Sequence, residues 1–134
     1  MKKHVILPGL LALGMVFCVF AQSDAEYQGY MKNIAATSGK ARKAVMEKNG
    51  ADAAAAGEQL EGIYKQVGGF WSKRGTDDAV QIAKKGETAA HDLAEAGKAN
   101  DADKMASSMQ TINGTCAACH MAHRAGSAGA FTIK

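Results

Sequence analysis

The sequence predicts an all-α protein, built as an antiparallel up-down-up-down four-helix bundle. Its only proline is Pro8, and residues that favour helices, chiefly Ala, Lys, Glu, Gln and Met, are abundant in the rest of the chain. β-Branched residues are sparse and never alternate over the length of a strand. Four segments carry small or apolar residues at near-heptad spacing and are joined by short connections, which is typical of such a bundle.

The first two helices are predicted from about Asp24 to Lys48 and from about Ala53 to Lys73. An S-x-x-E capping pattern starts the first helix at Ser23, and Asp52 is the predicted N-cap of the second. The inward stripe of the first helix is Tyr27, Met31, Ile34, Ser38, Ala41 and Val45. That of the second is Ala53, Ala56, Leu60, Ile63, Val67 and Phe70.

The other two helices are predicted from about Asp77 to Ala96 and from about Asp101 to Arg124, with Thr76 and Asn100 as their N-caps. The third helix has the stripe Ala79, Ile82, Gly86, Ala90 and Leu93. The fourth has Ala102, Met105, Met109, Ile112, Cys116, Cys119 and His123. The last eight residues are predicted to form a loose tail.

Glycines inside the helices pose a question about packing. Gly62 and Gly86 each cost about 1 kcal/mol relative to Ala in a helix. Either they make room for a large apolar group between the helices, or Ala-rich helices simply pack closer together. The sequence alone favours neither explanation.

Residues 1–21 have the form of a secretory signal. Lys2 and Lys3 precede a short apolar run, and Val19 and Ala21 suit a signal peptidase that cleaves after Ala21. The alternative is an uncleaved anchor, but the run is short and no stop-transfer charges follow it. The sequence therefore predicts an exported, periplasmic domain over residues 22–134, without stable membrane insertion after cleavage.

The charge and the cysteines of that domain exclude several classes of protein. Once Lys2 and Lys3 are removed, 14 basic side chains face 13 acidic ones, so nothing suggests nucleic acid or an anionic membrane as a partner. Cys18 leaves with the signal. The two remaining cysteines are three positions apart and cannot join distant parts of the chain, so they do not form a disulfide scaffold.

Those cysteines belong to Cys116-Ala117-Ala118-Cys119-His120, which matches the attachment pattern of c-type haem. Two thiols add to the two haem vinyl groups, and the following His binds the iron. On a helix, all three side chains lie along one stripe. A redox dithiol of the thioredoxin type needs a strand before the motif, and the sequence predicts none there. A structural zinc site needs a second pair of Cys or His ligands, and the sequence contains none. The sequence therefore predicts one covalently attached haem c.

A C-terminal haem motif on the fourth helix of an exported bundle resembles the cytochrome c′ family, the class II c-type cytochromes. The likeness extends over about Asp24 to Arg124. That family places an Arg four residues after the His, matched by Arg124, and an aromatic residue near the end of the second helix, matched by Trp71. Two features depart from it: His123 stands where the family usually has Tyr or Phe, and Tyr27 replaces the helix-1 Arg of many high-spin members.

The bundle topology points to Met31 as the second axial ligand of the iron. In an antiparallel bundle the first helix begins near the end of the fourth, and Met31 lies there on the inward stripe. Low-spin members of the resembling family have a helix-1 Met in this role. The alternative is an ordinary core methionine, which leaves the iron five-coordinate. The other candidates lie too far away or on the wrong side of the haem: Met46, His91, Met105, Met109 and His123.

Two further residues have open roles. Arg124 either pairs with a haem propionate or is a solvated arginine at a helix C-terminus. Trp71, with Phe70 and Ile82, either packs on the haem or belongs to the ordinary core. The basic residues of the first helix, Lys40, Arg42, Lys43 and Lys48, form either a solvated face or a docking surface for an acidic redox partner.

A haem with both axial positions filled by His120 and Met31 predicts a carrier of single electrons that works with redox partner proteins and is not an enzyme. A five-coordinate haem predicts instead the binding or sensing of small gases such as nitric oxide or carbon monoxide. The pattern is also compatible with a homodimer, because a dimer face on a bundle looks like any other partly apolar stripe.

Overall fold

The computed structural model describes the backbone of residues 12–134 and the side chains of residues 24–134. Four helices follow one another, α1 (Ala12–Met46), α2 (Gly50–Lys73), α3 (Asp77–Lys98) and α4 (Ala102–His123), and a short hairpin of β1 (Arg124–Ala125) and β2 (Thr132–Ile133) closes the chain. Consecutive helices pack against each other, so the predicted four-helix bundle is confirmed. No helix in the described part of the chain is both long and apolar enough to cross a membrane.

The predicted signal segment, residues 1–21, falls mostly outside this description: residues 1–11 are not described, and for residues 12–23 only the backbone is. There α1 is continuous from Ala12, so the capping pattern at Ser23 does not begin the helix.

The other helix ends lie within a few residues of their predicted positions. Two N-caps differ from the predicted residues, that of α2 by three positions and that of α4 by one. Asn49, not Asp52, caps α2 by accepting a hydrogen bond from the Asp52 amide at 3.1 Å. Asp101, not Asn100, caps α4 in the same way through the Lys104 amide. Asn100 instead adopts a left-handed φ of 52° that ends the preceding helix region, a conformation that Asn tolerates well.

Helices α2 and α3 pack so closely that side chains at their interface must be small. A Cβ added to Gly57 would lie 2.6 Å from the backbone nitrogen of Ala94 and 2.8 Å from the carbonyl oxygen of Ala90. The larger buried groups lie towards the centre of the bundle, among them Leu60, Leu93, Met105 and Ile112. Close packing of Ala-rich helices is therefore the better explanation of this composition.

Neither of the two questioned glycines makes room for a cofactor. A Cβ on Gly86 would collide with the ring of Tyr64, so this glycine accommodates a buried tyrosine. Gly62 is exposed, and a Cβ there would meet nothing within 4 Å. Gly86 faces the packing between α2 and α3, and Gly62 faces solvent. The hypothesis that these glycines make room for a bound group is therefore wrong.

The predicted loose tail is also wrong. Arg124 pairs with Ile133 and Ala125 with Thr132 in an antiparallel register, and the Lys134 amide donates to the His123 carbonyl at 2.9 Å. Gly126 and Gly129, both with positive φ, form the turn. The hairpin thus folds back over the end of α4, where α1 and α4 contact each other much less than the other neighbouring helices do.

Candidate functional site

A cavity of about 720 Å³ occupies the space between α1 and α4. This volume lies within the roughly 300–1,000 Å³ of ligand pockets in general. Its wall combines the inward face of α1, the last two turns of α4, two side chains each of α2 and α3, and the hairpin. The most relevant wall residues are Met31, Lys32, Ser38, Arg42, Tyr64, Val67, Ile82, Cys116, Cys119, His120, Arg124, Phe131 and Ile133.

The last two turns of α4 bring the haem-motif side chains to this wall together. Cys116, Cys119 and His120 all line the cavity and are all half-buried. Both cysteines are free thiols. The spacing of three and four residues on a helix is what aligns them, as the motif predicted.

A hydrogen-bonded group on the α2 side holds the first of these thiols. The Tyr64 hydroxyl lies 3.4 Å from Cys116 Sγ and 3.2 Å from Thr115 Oγ1, and the Thr115 hydroxyl donates to the Ile112 carbonyl at 2.7 Å. Burial, followed by the neighbouring Cys116, raises the pKa of Tyr64 above its usual range, so the phenol is neutral and is able to donate. Nothing in the sequence singled out Tyr64, because its role depends on contacts 51 and 52 residues away.

Electrostatics at the end of α4 favour a neutral imidazole. Burial, and next the positive charge of Arg124, lower the pKa of His120. The neutral form is the one that can bind a metal through a ring nitrogen. Burial raises the pKa of the nearby Cys119 thiol and, more strongly, that of the Tyr27 phenol.

Met31 lines the same cavity from α1 and packs against the core as a half-buried side chain. Of the rejected candidates, His123 also lines the cavity, and the other four lie elsewhere. Met105 and Met109 are buried in the core away from the cavity, and Met46 is 83% exposed. His91 is exposed on α3, with Nδ1 3.3 Å from a Glu61 carboxylate oxygen.

Trp71 does not line the cavity and so differs from the expectation of direct contact with a cofactor. It is 2% exposed and lies behind the wall, with its ring centroid 5.4 Å from Tyr27, 5.3 Å from Phe70 and 5.0 Å from His123. Of the other two candidates, Ile82 lines the cavity as predicted and Phe70 does not, while Val67 lines it unpredicted. His123 Nε2 in turn lies 2.9 Å from Asp78 Oδ2 on α3, without a hydrogen bond between them.

The hairpin supplies a part of the wall that the sequence analysis missed. Phe131, Thr132 and Ile133 line the cavity, and the Arg124 guanidinium lies 4.0 Å above the centre of the Phe131 ring. Gln28 Nε2 on α1 donates to the Phe131 carbonyl at 3.4 Å, so the hairpin bridges the two separated helices. The hairpin could have been predicted from Gly126 and Gly129, which form a short turn, and from the strand-favouring residues Phe131-Thr132-Ile133 that follow them.

These residues fit a haem. The wall is largely apolar, two thiols and an imidazole project from one side, and a thioether sulfur lies on the helix opposite. Lys32, Arg42 and Arg124 supply positive charge for carboxylates. Ser38 adds a buried hydroxyl that has no hydrogen-bond partner among the described residues.

Comparison with known proteins agrees with this geometry. A family model described as Cytochrome C' matches residues 68–124, which include the haem motif. Among solved structures, the crystal structure of cytochrome c' from Thermochromatium tepidum is similar, with a TM-score of 0.68 and 21% identity over 78% of this chain and 95% of that one. A cytochrome c' described as having an unusual ligand-controlled dimer dissociation is similar too, with a TM-score of 0.68 and 19% identity over the same shares of both chains. No curated protein sequence matches the chain.

Proposed function

Because this chain belongs to the cytochrome c′ family and binds one covalently attached haem c, we propose that it carries single electrons between redox proteins. The observation that supports this proposal is the position of Met31. It lines the cavity from α1, whereas His120 and both cysteines line it from α4.

Each residue has a specific task in this proposal. Cys116 and Cys119 would hold the haem through thioether bonds, and His120 and Met31 would bind its iron. Tyr64 fixes Cys116 through its hydroxyl, 3.4 Å from Sγ. Arg124 pairs with a propionate, and Trp71 acts indirectly by supporting Tyr27 and His123 from behind.

The bound haem supplies one-electron chemistry, because its iron is stable in both the ferric and the ferrous state. The chain's own residues set the conditions for that chemistry. Two protein ligands leave no position for a substrate, so we propose no enzymatic reaction. Methionine ligation favours the ferrous form, and the apolar wall around Val67, Ile82 and Phe131 limits the entry of water.

We further propose that the protein works in the periplasm after removal of residues 1–21. Attachment of haem to a Cys-x-x-Cys-His motif after export fits the signal-like segment of the sequence. A homodimer is also proposed, since one cytochrome c' of similar fold is described by its ligand-controlled dimer dissociation.

Absorption spectra of the oxidised and reduced holoprotein, with and without carbon monoxide, test the axial ligands. A low-spin ferrous spectrum that carbon monoxide barely changes, with a weak long-wavelength methionine–iron band in the ferric form, supports Met31. The Met31→Ala variant should become high-spin and bind carbon monoxide readily. The control is Met46→Ala, since Met46 is 83% exposed and should leave the spectrum unchanged.

The alternative function, binding or sensing of nitric oxide or carbon monoxide, requires a five-coordinate iron. Rapid carbon monoxide binding by the unaltered protein, with a high-spin ferrous spectrum, would establish that alternative and overturn the electron-carrier proposal. An unchanged spectrum in Met31→Ala would show that another residue binds the iron.

A further inference from the structure

The charges of this protein are strongly segregated between two sides of the bundle. Residues 27–46 of α1 carry Lys32, Lys40, Arg42 and Lys43 and no carboxylate, and residues 104–134 carry Lys104, Arg124 and Lys134 and no carboxylate side chain. Residues 50–98, from the start of α2 to the end of α3, hold eight of the 13 acidic side chains and only six basic ones. The near-neutral total charge therefore conceals a molecule with one basic side.

The basic residues on the two sides also differ in pairing. On α2 and α3, four bases lie within 4.0 Å of a carboxylate: Lys65, Arg74, Lys84 and Lys98. On the basic side, Lys43 and Lys104 pair with Glu47 and Asp101, whereas none of the described ion pairs involves Lys32, Lys40, Arg42 or Arg124. An unpaired surface charge acts on its surroundings over about a Debye length, some 8–10 Å in ordinary salt. These four residues thus present positive charge that no described carboxylate neutralises.

The position of these charges links them to the haem cavity. Lys32, Arg42 and Arg124 are exposed and also line the cavity, so they surround its opening between α1 and α4. We call these three residues the basic rim. A haem brings only two propionate carboxylates, so a bound cofactor leaves the three cations of the rim with net positive charge. Phe131, 39% exposed, provides an apolar contact inside the rim.

We propose that the basic rim is the docking surface for an acidic redox protein, which exchanges electrons through the cavity opening. The inference rests on the proposed function and adds the chemical class of its partner. Transient electron-transfer complexes are small and depend on electrostatic steering, which raises association rates by about 10–10³-fold and fails at high salt. A ring of unpaired bases around a small apolar contact provides both features.

Stopped-flow oxidation of the ferrous holoprotein by two inorganic probes tests the proposal. Hexacyanoferrate(III) is anionic and tris(phenanthroline)cobalt(III) is cationic, and each takes one electron, leaving ferric protein and the reduced complex. Raising the ionic strength from about 0.01 M to about 0.15 M shortens the Debye length from about 30 Å to about 8 Å. The anionic probe should slow by roughly tenfold or more, and the cationic probe should accelerate.

Charge reversal on the rim should largely abolish this difference. In Lys32→Glu/Arg42→Glu the anionic probe should lose most of its low-salt advantage. Lys43→Glu lies beside the rim but does not line the cavity, so it should give a smaller loss with an unchanged absorption spectrum. Lys73→Glu/Lys85→Glu is the matched control, because both residues are exposed on the α2–α3 side and should leave both rates unchanged.

Several results would overturn the docking surface. Equal salt responses of the two probes, or equal effects of rim and control variants, would remove its basis. Rim-dependent sedimentation with phosphatidylglycerol vesicles, with probe rates unaffected by the rim variants, would assign the surface to a membrane. Rim-dependent self-association would assign it to a second copy. Slow electron exchange with both probes at every salt concentration would instead contradict the proposed electron-carrier function.

Discussion

Gly86 on α3 lies directly against the buried ring of Tyr64 on α2, and a Cβ on Gly86 would overlap that ring. The Tyr64 hydroxyl then reaches across to Thr115 and Cys116 on α4. The absence of a side chain at Gly86 on α3 therefore makes room for the Tyr64 ring on α2, whose hydroxyl contacts Cys116 on α4.

Gly86→Ala should destabilise the protein by roughly 1–3 kcal/mol, because the tyrosine ring must move within a packed core. Thermal or denaturant unfolding measures this change. Gly62→Ala is the matched control: it is also inside a helix but open to solvent, and it should stabilise by roughly 0.5–1 kcal/mol. Equal effects of the two substitutions would contradict the packing role of Gly86.

Gly57→Ala should cost at least as much as Gly86→Ala. The added Cβ meets backbone atoms of Ala90 and Ala94, which cannot rotate away as a side chain can. Unfolding in denaturant should show a loss at or above the upper end of about 1–3 kcal/mol. A loss smaller than that of Gly86→Ala would mean that α2 and α3 separate easily.

Tyr64→Phe should destabilise the holoprotein by about 0.5–1.5 kcal/mol, since the hydrogen bond to Thr115 is buried. The effect stays moderate because the Thr115 hydroxyl keeps its bond to the Ile112 carbonyl. Tyr30→Phe provides a control in which the lost partner, Glu26, is exposed, and unfolding should be almost unchanged. Similar losses in both variants would argue against a special role for the buried phenol.

Removal of residues 126–134 should open the cavity, because Phe131, Thr132 and Ile133 form part of its wall. Imidazole should bind the ferric protein faster, and the reduction potential should fall as the haem becomes more exposed to water. The control is Lys134→Ala, which keeps the backbone amide bonded to the His123 carbonyl and does not line the cavity, and it should change neither quantity. Unchanged imidazole binding in the longer deletion would show that the hairpin does not cover the haem.

The sequence determined the features that depend on spacing within one helix. The near-heptad stripes predicted four helices and, apart from the start of α1, placed their ends within a few residues, and Cys116 to His120 predicted both the haem and its side of α4. Met31 could be placed on the cavity wall because antiparallel topology alone brings the start of α1 to the end of α4. These inferences needed only helical periodicity and the order of the elements.

Only the tertiary structure decided which side chains reach the cavity and which support it. Trp71 lies behind the wall and Val67 within it, a difference set by how α2 is rotated against its neighbours. The hairpin depends on contacts such as that of Gln28 with Phe131, 103 residues apart. Lys32, Arg42 and Arg124 form a basic rim only because α1 and α4 lie on either side of the cavity. Such features come from the relative positions of distant segments, and periodicity along one segment carries no information about them.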